Sequence, residues 1–193
     1  AFLLRKCSKS STSILQNKRL ELLSPPSRLF RGRAAIFFLW RKALDKRLVT
    51  CAKLCTGDFV CDVGTDHGYL PCFMIKENMC KKALACDVAP MPLKSAEEHI
   101  NREGLSDRIK TVLSDGLDNV PPEGITDVVM AGMGGELIAR LLEKCPWVKN
   151  SVNLVLQPMT KWDVLRKWLY DNGFEVKKEL ACTEGLFAYS VMQ

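Results

Sequence analysis

Residues 62–71 hold the densest set of side chains that could do chemistry in this 193-residue chain. The segment reads D-V-G-T-D-H-G-Y-L-P, follows an apolar run and precedes a pattern typical of a helix. Glycine-rich turns between a strand and a helix let the backbone approach a ligand and direct unpaired helix N–H groups at its anionic part. The dinucleotide fingerprint G-x-G-x-x-G is absent, because Asp66 occupies the place of its second glycine. This argues against a nicotinamide-dependent oxidoreductase and makes Asp66 a candidate catalytic group.

Four further polar or glycine-rich segments follow predicted strands. They are Asp87, S-D-G at 114–116, A-G-M-G-G at 131–135 and Q-P-M at 157–159. In an open parallel sheet the carboxyl ends of the strands share one edge, where ligands bind. Asp87 is a candidate to accept hydrogen bonds from ribose hydroxyls, although aspartate is also common where a helix begins. Asp115 is a candidate to accept from an adenine amino group, or it belongs to an ordinary turn.

Helices and strands alternate from Leu44 onward. Apolar spacing predicts helices over residues 44–55, 69–79, 91–102, 135–144 and 160–173, and strands over 59–63, 83–87, 109–113, 127–131, 152–156, 174–181 and 186–192. Thr160-x-x-Asp163 predicts a capping box at the start of the last helix, and residues 182–185 predict a hairpin turn. The expected fold is therefore α/β, with a doubly wound, mostly parallel seven-stranded sheet that ends in an antiparallel hairpin.

The last predicted helix carries two tryptophans at helical spacing with leucines. Trp162, Leu165, Trp168 and Leu169 form an apolar stripe. Such a stripe is typical of a face that packs on a core. We therefore expect both tryptophans to be core residues and not platforms on which bases stack.

The basic charge is concentrated at the beginning of the chain. The formal net charge is +6, yet residues 1–42 alone hold ten Lys/Arg against the single acid Glu21, which leaves residues 43–193 at −3. We expect residues 1–42 to be a basic extension, either a disordered arm or transit peptide, or sequence that is not native. Residues 43–193 are long enough for one domain with a full core.

Nine cysteines occur without a C-x-x-C pair. This spacing argues against a zinc site, so no metal is expected, and it favours small buried thiols in a reducing compartment. The apolar run at residues 34–40 falls far short of the roughly 18 residues that a membrane span needs. We expect no membrane association and a cytoplasmic location, or an organelle if residues 1–42 are a transit peptide.

Three blocks of sequence together resemble one family. Residues 62–71 are similar to the first motif of S-adenosylmethionine-dependent methyltransferases, acidic-x-G-x-G-x-G, with Asp66 in place of one glycine. Residues 131–138, A-G-M-G-G-E-L-I, and 154–158, L-V-L-Q-P, followed by L-R-x-W-L from Leu165, extend the likeness. Together they resemble the bacterial tRNA methyltransferases that modify N1 of adenine 22, from about Leu44 to the end of the chain.

The resemblance implies a Rossmann-like class I methyltransferase domain that takes its methyl group from S-adenosylmethionine and passes it to tRNA. It implies catalytic roles for Asp66, Gln157 and Pro158. It implies cofactor-binding roles for Asp62, Gly64, Thr65, Gly68, Asp87, Asp115 and Gly132. We expect substrate-binding roles for His67, Tyr69, Met133, Gly134 and Gly135; alternatively, His67 packs or bonds locally at the helix start and Tyr69 is structural.

The chain departs from that family in two ways. Members often read Q-P-N where this chain has Q-P-M, so an amide is replaced by Met159. Members also tend to continue into a helical C-terminal domain beyond the position of Gln193. Two alternatives therefore stay open: a domain that binds S-adenosylmethionine without methylating tRNA, and a methyltransferase with another RNA or a small molecule as acceptor.

Overall fold

A computed structural model describes residues 44–193, except for the side chains of residues 150 and 151. The expectations for residues 1–42 lie outside the described residues. Residues of the unit Ala43–Gln193 contact one another as one compact body. Within residues 44–193, every helix is too short or too polar to cross a bilayer.

Six helices and seven strands span most of the described chain. The helices are α1 (Lys46–Leu54), α2 (Tyr69–Lys76), α3 (Pro90–Arg102), α4 (Gly135–Glu143), the short α5 (Val148–Ser151) and α6 (Trp162–Asp171). The strands are β1 (Phe59–Val63), β2 (Lys82–Asp87), β3 (Ile109–Leu113), β4 (Asp127–Gly134), β5 (Asn153–Thr160), β6 (Glu179–Glu184) and β7 (Phe187–Met192).

All seven strands form one sheet in the order β3-β2-β1-β4-β5-β7-β6. The strands β1 to β5 pair in parallel, whereas β7 runs antiparallel to both β5 and β6. The doubly wound sheet with a terminal antiparallel hairpin is thus confirmed. The strands that follow β1 in sequence, β2 and β3, lie on one side of it, whereas β4 and β5 lie on the other side. A crevice therefore opens beyond the carboxyl ends of the two central strands, β1 and β4.

Apolar residues on the sheet pack under helices on its two faces. On one face, Cys61 and Val63 of β1 belong to a buried cluster with Ile138 of α4 and Leu165 of α6. The central strands carry side chains buried on both faces, as expected when helices cover a parallel sheet twice. This burial fixes the strands, and hence the loops that follow them.

A buried carboxylate, that of Asp127, joins several segments at the amino edge of the sheet. Asp127 is fully buried at the start of β4. Its Oδ1 accepts from Thr56 N at 2.8 Å and from Asn153 Nδ2 at 2.7 Å, and its Oδ2 accepts from Gly57 N at 2.8 Å and from the Thr126 hydroxyl at 2.8 Å. A single side chain therefore joins the end of α1 to the beginnings of β4 and β5.

Three predicted boundaries differ from the structure. β4 continues to Gly134, because β5 keeps pairing with it as far as Thr160 through two register shifts. The predicted capping box is wrong: Thr160 remains in the sheet, and Lys161, at a φ of 55°, precedes α6 without a side-chain cap. The strand predicted over residues 174–181 is instead Glu179–Glu184, so the hairpin turn predicted at residues 182–185 falls at residues 185–186.

The expectation that both tryptophans of α6 are core residues is half right. Trp168 packs against the core and stacks on Phe174, with ring centroids 5.7 Å apart. Trp162, in contrast, is 59% exposed. Trp162 lies in the first turn of α6, beyond the part of the helix whose residues Leu165 and Leu169 are buried in the core.

Asp127→Ala should lower the free energy of unfolding by more than about 3 kcal/mol. The substitution leaves two backbone N–H groups and the Asn153 amide without their acceptor, and each buried unsatisfied donor costs about 1–3 kcal/mol. Urea unfolding measures the change, with the exposed Asp107→Ala as control. A loss no larger than that of the control would contradict the role given to Asp127.

Candidate active site

The turn after β1 is fastened to the neighbouring strand β2. The amides of Gly64 and Thr65 both donate to the Cys86 carbonyl oxygen, at 2.8 and 2.9 Å. Gly64 has a φ of 75° and Gly68 a φ of 69°, in the left-handed region that favours glycine. These two glycines let the chain leave β1, cross above β2 and enter α2 within five residues.

Asp66 stands at the surface of this turn. Its φ is 54°, and its side chain is 68% exposed. Its backbone N–H donates to Asp87 Oδ2 at 3.2 Å, and one of its carboxylate oxygens lies 3.6 Å from His67 Nε2. The predicted catalytic carboxylate therefore lies on the carboxyl edge of the sheet, where a ligand can reach it.

Asp87 at the end of β2 ties two loops together. Its Oδ1 accepts from Ala89 N at 2.9 Å, and its Oδ2 accepts from Asp66 N. Carboxylate oxygens each have a second lone pair, so Asp87 can still accept from a ligand. Its neighbours Val88 and Leu113 are 64% and 48% exposed, which places apolar surface on either side of the carboxylate.

Asp62 lies beneath the turn and is buried. Its Oδ2 accepts from the Thr65 hydroxyl at 2.7 Å. Burial raises the pKa of Asp62 from 3.8 to about 6, the hydrogen bond from Thr65 lowers it, and the charge of Asp87 raises it further. Near neutral pH the site therefore holds a carboxylate whose charge is costly and would be stabilised by a nearby cation.

An aromatic cluster flanks the turn on the α3 side. The ring of Tyr69, which is 47% exposed, lies 5.5 Å from that of His67 and 4.9 Å from that of His99. Nδ1 of the buried His99 donates to the His67 carbonyl oxygen at 2.8 Å. His67 and Tyr69, predicted to bind substrate, are thus held at the same edge as Asp66.

The irregular end of β4, residues 131–134, where its pairing with β5 shifts register, is called the β4 loop here and is held in place by a glutamine. Gln157 is fully buried, and its Oε1 accepts from Gly132 N at 3.0 Å and from Arg47 Nη1 at 2.8 Å. Its Nε2 donates to the Pro158 carbonyl oxygen at 2.9 Å. The catalytic roles expected of Gln157 and Pro158 stay predictions: both residues are buried, and the amide of Gln157 is engaged by other groups of the protein.

The glycines of the β4 loop fall into two groups. Gly132 is exposed, with a φ of 82°, and faces Arg47. Met133 reaches back towards β1, so that a Cβ on Gly64 would lie 2.4 Å from its Cε. Gly134 and Gly135 instead allow close packing, because a Cβ on Gly135 would lie 2.2 Å from the Lys161 carbonyl oxygen. Gly132 and Met133 border the crevice, and Gly135 joins α4 to α6.

Asp115, at the end of β3, has a partner of its own. Its Oδ2 accepts from Lys144 Nζ at 2.8 Å, and Lys144 also lies 3.3 Å from Asp118. The hydrogen bond from Lys144 holds the pKa of Asp115 below its ordinary value. The carboxylate is therefore ionised, but Lys144 competes for it with the predicted adenine amino group.

Arg47 is the residue of this site that the sequence did not reveal. It belongs to α1, donates to Asp45 and Gln157, and lies 5.9 Å above the ring of Tyr189. A Cβ on Gly132 would be 3.1 Å from its Nη1. The only signal in the sequence was L-x-K-R-L from Leu44, which resembles the start of the family but carries no role for the arginine.

Neither metal chemistry nor disulfide chemistry is indicated by the described side chains. Within residues 44–193, no three His, Cys, Asp or Glu side chains converge on a point that could hold a metal ion. The eight described cysteines are free thiols, six of them buried. The functional groups at the edge are thus carboxylates, backbone amides, aromatic rings and one guanidinium.

Residues 44–192 match the model of a methyltransferase domain family. The chain belongs to this methyltransferase-domain family. The matched region includes every residue of the crevice, from Arg47 to Tyr189. The Rossmann-like class I methyltransferase fold expected from the sequence is therefore confirmed.

Related methyltransferases refine this placement. The chain is 32% identical over 151 residues to the tRNA (adenine(22)-N(1))-methyltransferase of Bacillus subtilis, a match that covers 77% of this chain and 63% of the relative. It is similar to a putative tRNA (m1A22) methyltransferase of Streptococcus pneumoniae in complex with S-adenosyl-L-methionine, with 35% identity, a TM-score of 0.73, and coverage of 77% and 71%. The resemblance seen in the sequence is confirmed, although this chain spans less than two thirds of the length of the B. subtilis relative.

A third methyltransferase shows the same fold with a reaction product bound. A protein of M. capricolum was solved with S-adenosyl-homocysteine, described there as the natural cofactor product. It is 30% identical, with a TM-score of 0.70, and the match covers 77% of this chain and 67% of that one.

Asp62 should make the methyltransferase domain less stable as the pH rises. Between pH 3.8 and about 6 the folded protein holds a proton on Asp62 that the unfolded chain has lost, so the free energy of unfolding falls with rising pH. Asp62→Asn should lack this component, which amounts to at most about 3 kcal/mol at 1.36 kcal/mol per pKa unit. Urea unfolding of both proteins from pH 4 to pH 8 gives the difference; parallel curves would contradict the assignment.

Proposed function

We propose that this chain transfers the methyl group of S-adenosylmethionine to N1 of an adenine in tRNA, at position 22 as in the relatives. The observation that carries the proposal is the joined carboxylate edge. Asp87 receives the backbone N–H of Asp66, and Asp62 lies beneath the same turn. These acids lie at the carboxyl edge of the sheet, where open α/β sheets bind ligands, and relatives named for this reaction match the domain.

The residues present fit a cationic nucleoside donor. Asp87 has acceptor capacity for ribose hydroxyls, and Val88 and Leu113 offer apolar surface for a purine on either side of it. The buried charge of Asp62 would be relieved by a cation such as the donor's ammonium or sulfonium. Gly64 and Gly68 present no Cβ atom at their two positions of the turn. S-adenosylmethionine would supply a methyl carbon already activated by its sulfonium.

Little proton chemistry is required of the protein. Adenine N1 has a lone pair that can attack without prior deprotonation, so alignment and exclusion of water carry most of the task. Methylation leaves a positive charge on the base. Asp66, exposed at the edge, is the group that stabilises this charge and accepts from the 6-amino group. The base must leave its stack to reach Asp66, at a cost of a few kcal/mol.

Gln157, Pro158 and Arg47 act as positioning residues. Gln157 accepts hydrogen bonds from the amide of Gly132 and the guanidinium of Arg47, which fixes the position of the β4 loop relative to β5 and α1. Gly132 and Met133 then border the acceptor side of the crevice, with His67 and Tyr69 opposite. Thr65 orients Asp62, and Gly134 and Gly135 hold the loop against α6.

The experiment that tests the function begins with incubation of the protein with unmodified bulk tRNA and S-adenosylmethionine. Mass spectrometry should then locate N1-methyladenosine at one position. Calorimetry with the donor separates the alternatives: donor binding without methylated RNA would support a donor-binding domain, and methylation elsewhere would support another acceptor. Absence of donor binding would contradict the proposal altogether.

Asp66→Asn should lower kcat for methyl transfer by at least about tenfold, which is 1.4 kcal/mol of barrier. Asparagine tolerates the left-handed backbone at this position, so the substitution removes the charge and keeps the turn. Donor affinity should change by less than about threefold. Single-turnover kinetics measures the step, with Asp107→Asn as control. Activity within threefold of wild type would remove Asp66 from the mechanism.

Asp87→Ala should weaken donor binding by about tenfold to a hundredfold. Hydrogen bonds to a charged acceptor contribute about 1.5–3 kcal/mol, and the alanine also releases the amides of Asp66 and Ala89. Calorimetry measures the affinity, and thermal unfolding without donor corrects for any loss of fold. Asp118→Ala, at the same edge and paired with Lys144, is the matched control; equal losses in both variants would contradict a ribose contact.

A further inference from the structure

A cleft opens where β5 and β7 separate. Leu156 and Met192 form the single pair described between these strands. The residue after next on β5 is Pro158, which has no N–H to donate to a neighbouring strand. The strands diverge beyond this pair and leave a cavity of about 710 Å³. This volume lies within the roughly 300–1,000 Å³ of small-ligand sites.

The walls of this β5–β7 cleft are aromatic and exposed. Trp162 at the start of α6 is 59% exposed, Phe187 at the start of β7 is 67% exposed, and Met159 is 45% exposed. Tyr189 and Ser190 line the opposite strand. Large apolar side chains that remain exposed to solvent at the mouth of a cavity are typical of binding sites, because their exposed surface is not buried in the core.

The cleft is continuous with the candidate active site. Pro158 lines it and is the neighbour of Gln157, which holds Gly132. Tyr189 lines it as well, and its ring lies under the guanidinium of Arg47, the second partner of Gln157. A ligand in the cleft therefore lies next to residues that contact Gln157 and Arg47, the two side chains that fix the position of the β4 loop.

The chemistry of the lining matches a nucleobase that carries its phosphate. Aromatic rings stack on any base, because every base has a π-face. One guanidinium group lines the cleft, that of Arg166, which also contacts Glu179; a second, that of Arg47, lies outside the lining, 5.9 Å from the ring centroid of Tyr189. Guanidinium groups favour phosphate, and the residues that line the cleft include no carboxylate. An apolar protein segment would use the rings but not the guanidinium groups.

We propose that the β5–β7 cleft binds an unpaired base of the RNA acceptor, stacked on Trp162, while the adenine to be methylated lies at Asp66. This inference rests on the proposed function for its substrate class. Sequence-specific recognition of RNA usually takes splayed, unpaired bases onto aromatic side chains. Trp162 is then a specificity-determining residue for the acceptor and has no role towards the donor.

The experiment compares Trp162→Ala, Trp162→Phe and Phe187→Ala with the control Tyr170→Ala. Tyr170 is an exposed aromatic residue of the same helix, outside the lining of the cleft. Fluorescence anisotropy measures affinity for an unmodified tRNA transcript and for a short labelled oligoadenylate. Kinetics gives KM for tRNA and for S-adenosylmethionine separately, and calorimetry gives donor affinity.

Trp162→Ala should weaken binding of both RNAs by about tenfold, the loss expected when one stacked base is given up. KM for tRNA should rise in parallel, while KM and affinity for the donor stay at wild-type values, which a misfolded variant could not show. Trp162→Phe should restore most of the affinity, Phe187→Ala should show a loss of its own, and Tyr170→Ala should match wild type.

The outcomes for the cleft and for the proposed function are separate. RNA affinity of Trp162→Ala within about twofold of wild type would overturn the cleft as a base site, even if tRNA is methylated. RNA binding that depends on Trp162 without any methyl transfer would support the cleft and overturn the proposed function. Absence of RNA binding by the wild type, or equal losses in Tyr170→Ala, would overturn the cleft in favour of a protein partner.

Discussion

The buried amide of Gln157 is the interaction on which the acceptor half of the site depends. One oxygen atom receives hydrogen bonds from Gly132 in the β4 loop and from Arg47 in α1, two elements that are 85 positions apart in sequence. Removal of this amide would take away the acceptor of Gly132 N and of Arg47 Nη1 at once, and Asp45 would remain as the other hydrogen-bond acceptor of Arg47. The β4 loop therefore keeps its position because α1, β4 and β5 are joined by hydrogen bonds to a single atom, Oε1 of Gln157.

The two edges of the sheet use carboxylates in opposite ways. At the amino edge, Asp127 is enclosed and has four hydrogen-bond donors around it. At the carboxyl edge, Asp66 is exposed, Asp87 is only half satisfied and Asp62 is held where its charge is unfavourable. The carboxylate at the amino edge is thus saturated with hydrogen bonds and serves stability. The carboxylates at the carboxyl edge keep negative charge and free acceptor positions, as expected of a domain that binds a cation.

The sequence predicted the existence and order of the seven strands and the glycine turn after β1. An apolar run marked β1 to the residue, since a strand buried on both faces leaves a continuous signal; β3 was also located to the residue, although it is an edge strand in which Lys110 and Leu113 are exposed. The turn at Gly64–Gly68 was recognisable because its left-handed positions require glycine or a small polar residue. The resemblance to a known family then implied a Rossmann-like class I methyltransferase domain.

The acceptor side was harder to predict, because its contacts are long-range. The bond between Arg47 and Gln157 joins residues 110 positions apart, and no local pattern encodes it. Trp162 follows the same helical spacing as the buried Trp168, so periodicity alone could not tell that the core ends between them. Thr160 had the residue type of a helix cap, but pairing with Gly134 kept it in the sheet.

Gly135 and Lys161 bring the first turns of α4 and α6 into backbone contact, closer than any side chain would allow. Since α4 follows β4 and α6 follows the end of β5, this close packing opposes separation of the two strand ends. Rotation of side chains such as Met133 and Met159 then costs less than a movement of the backbone when ligands of different shape bind at this edge.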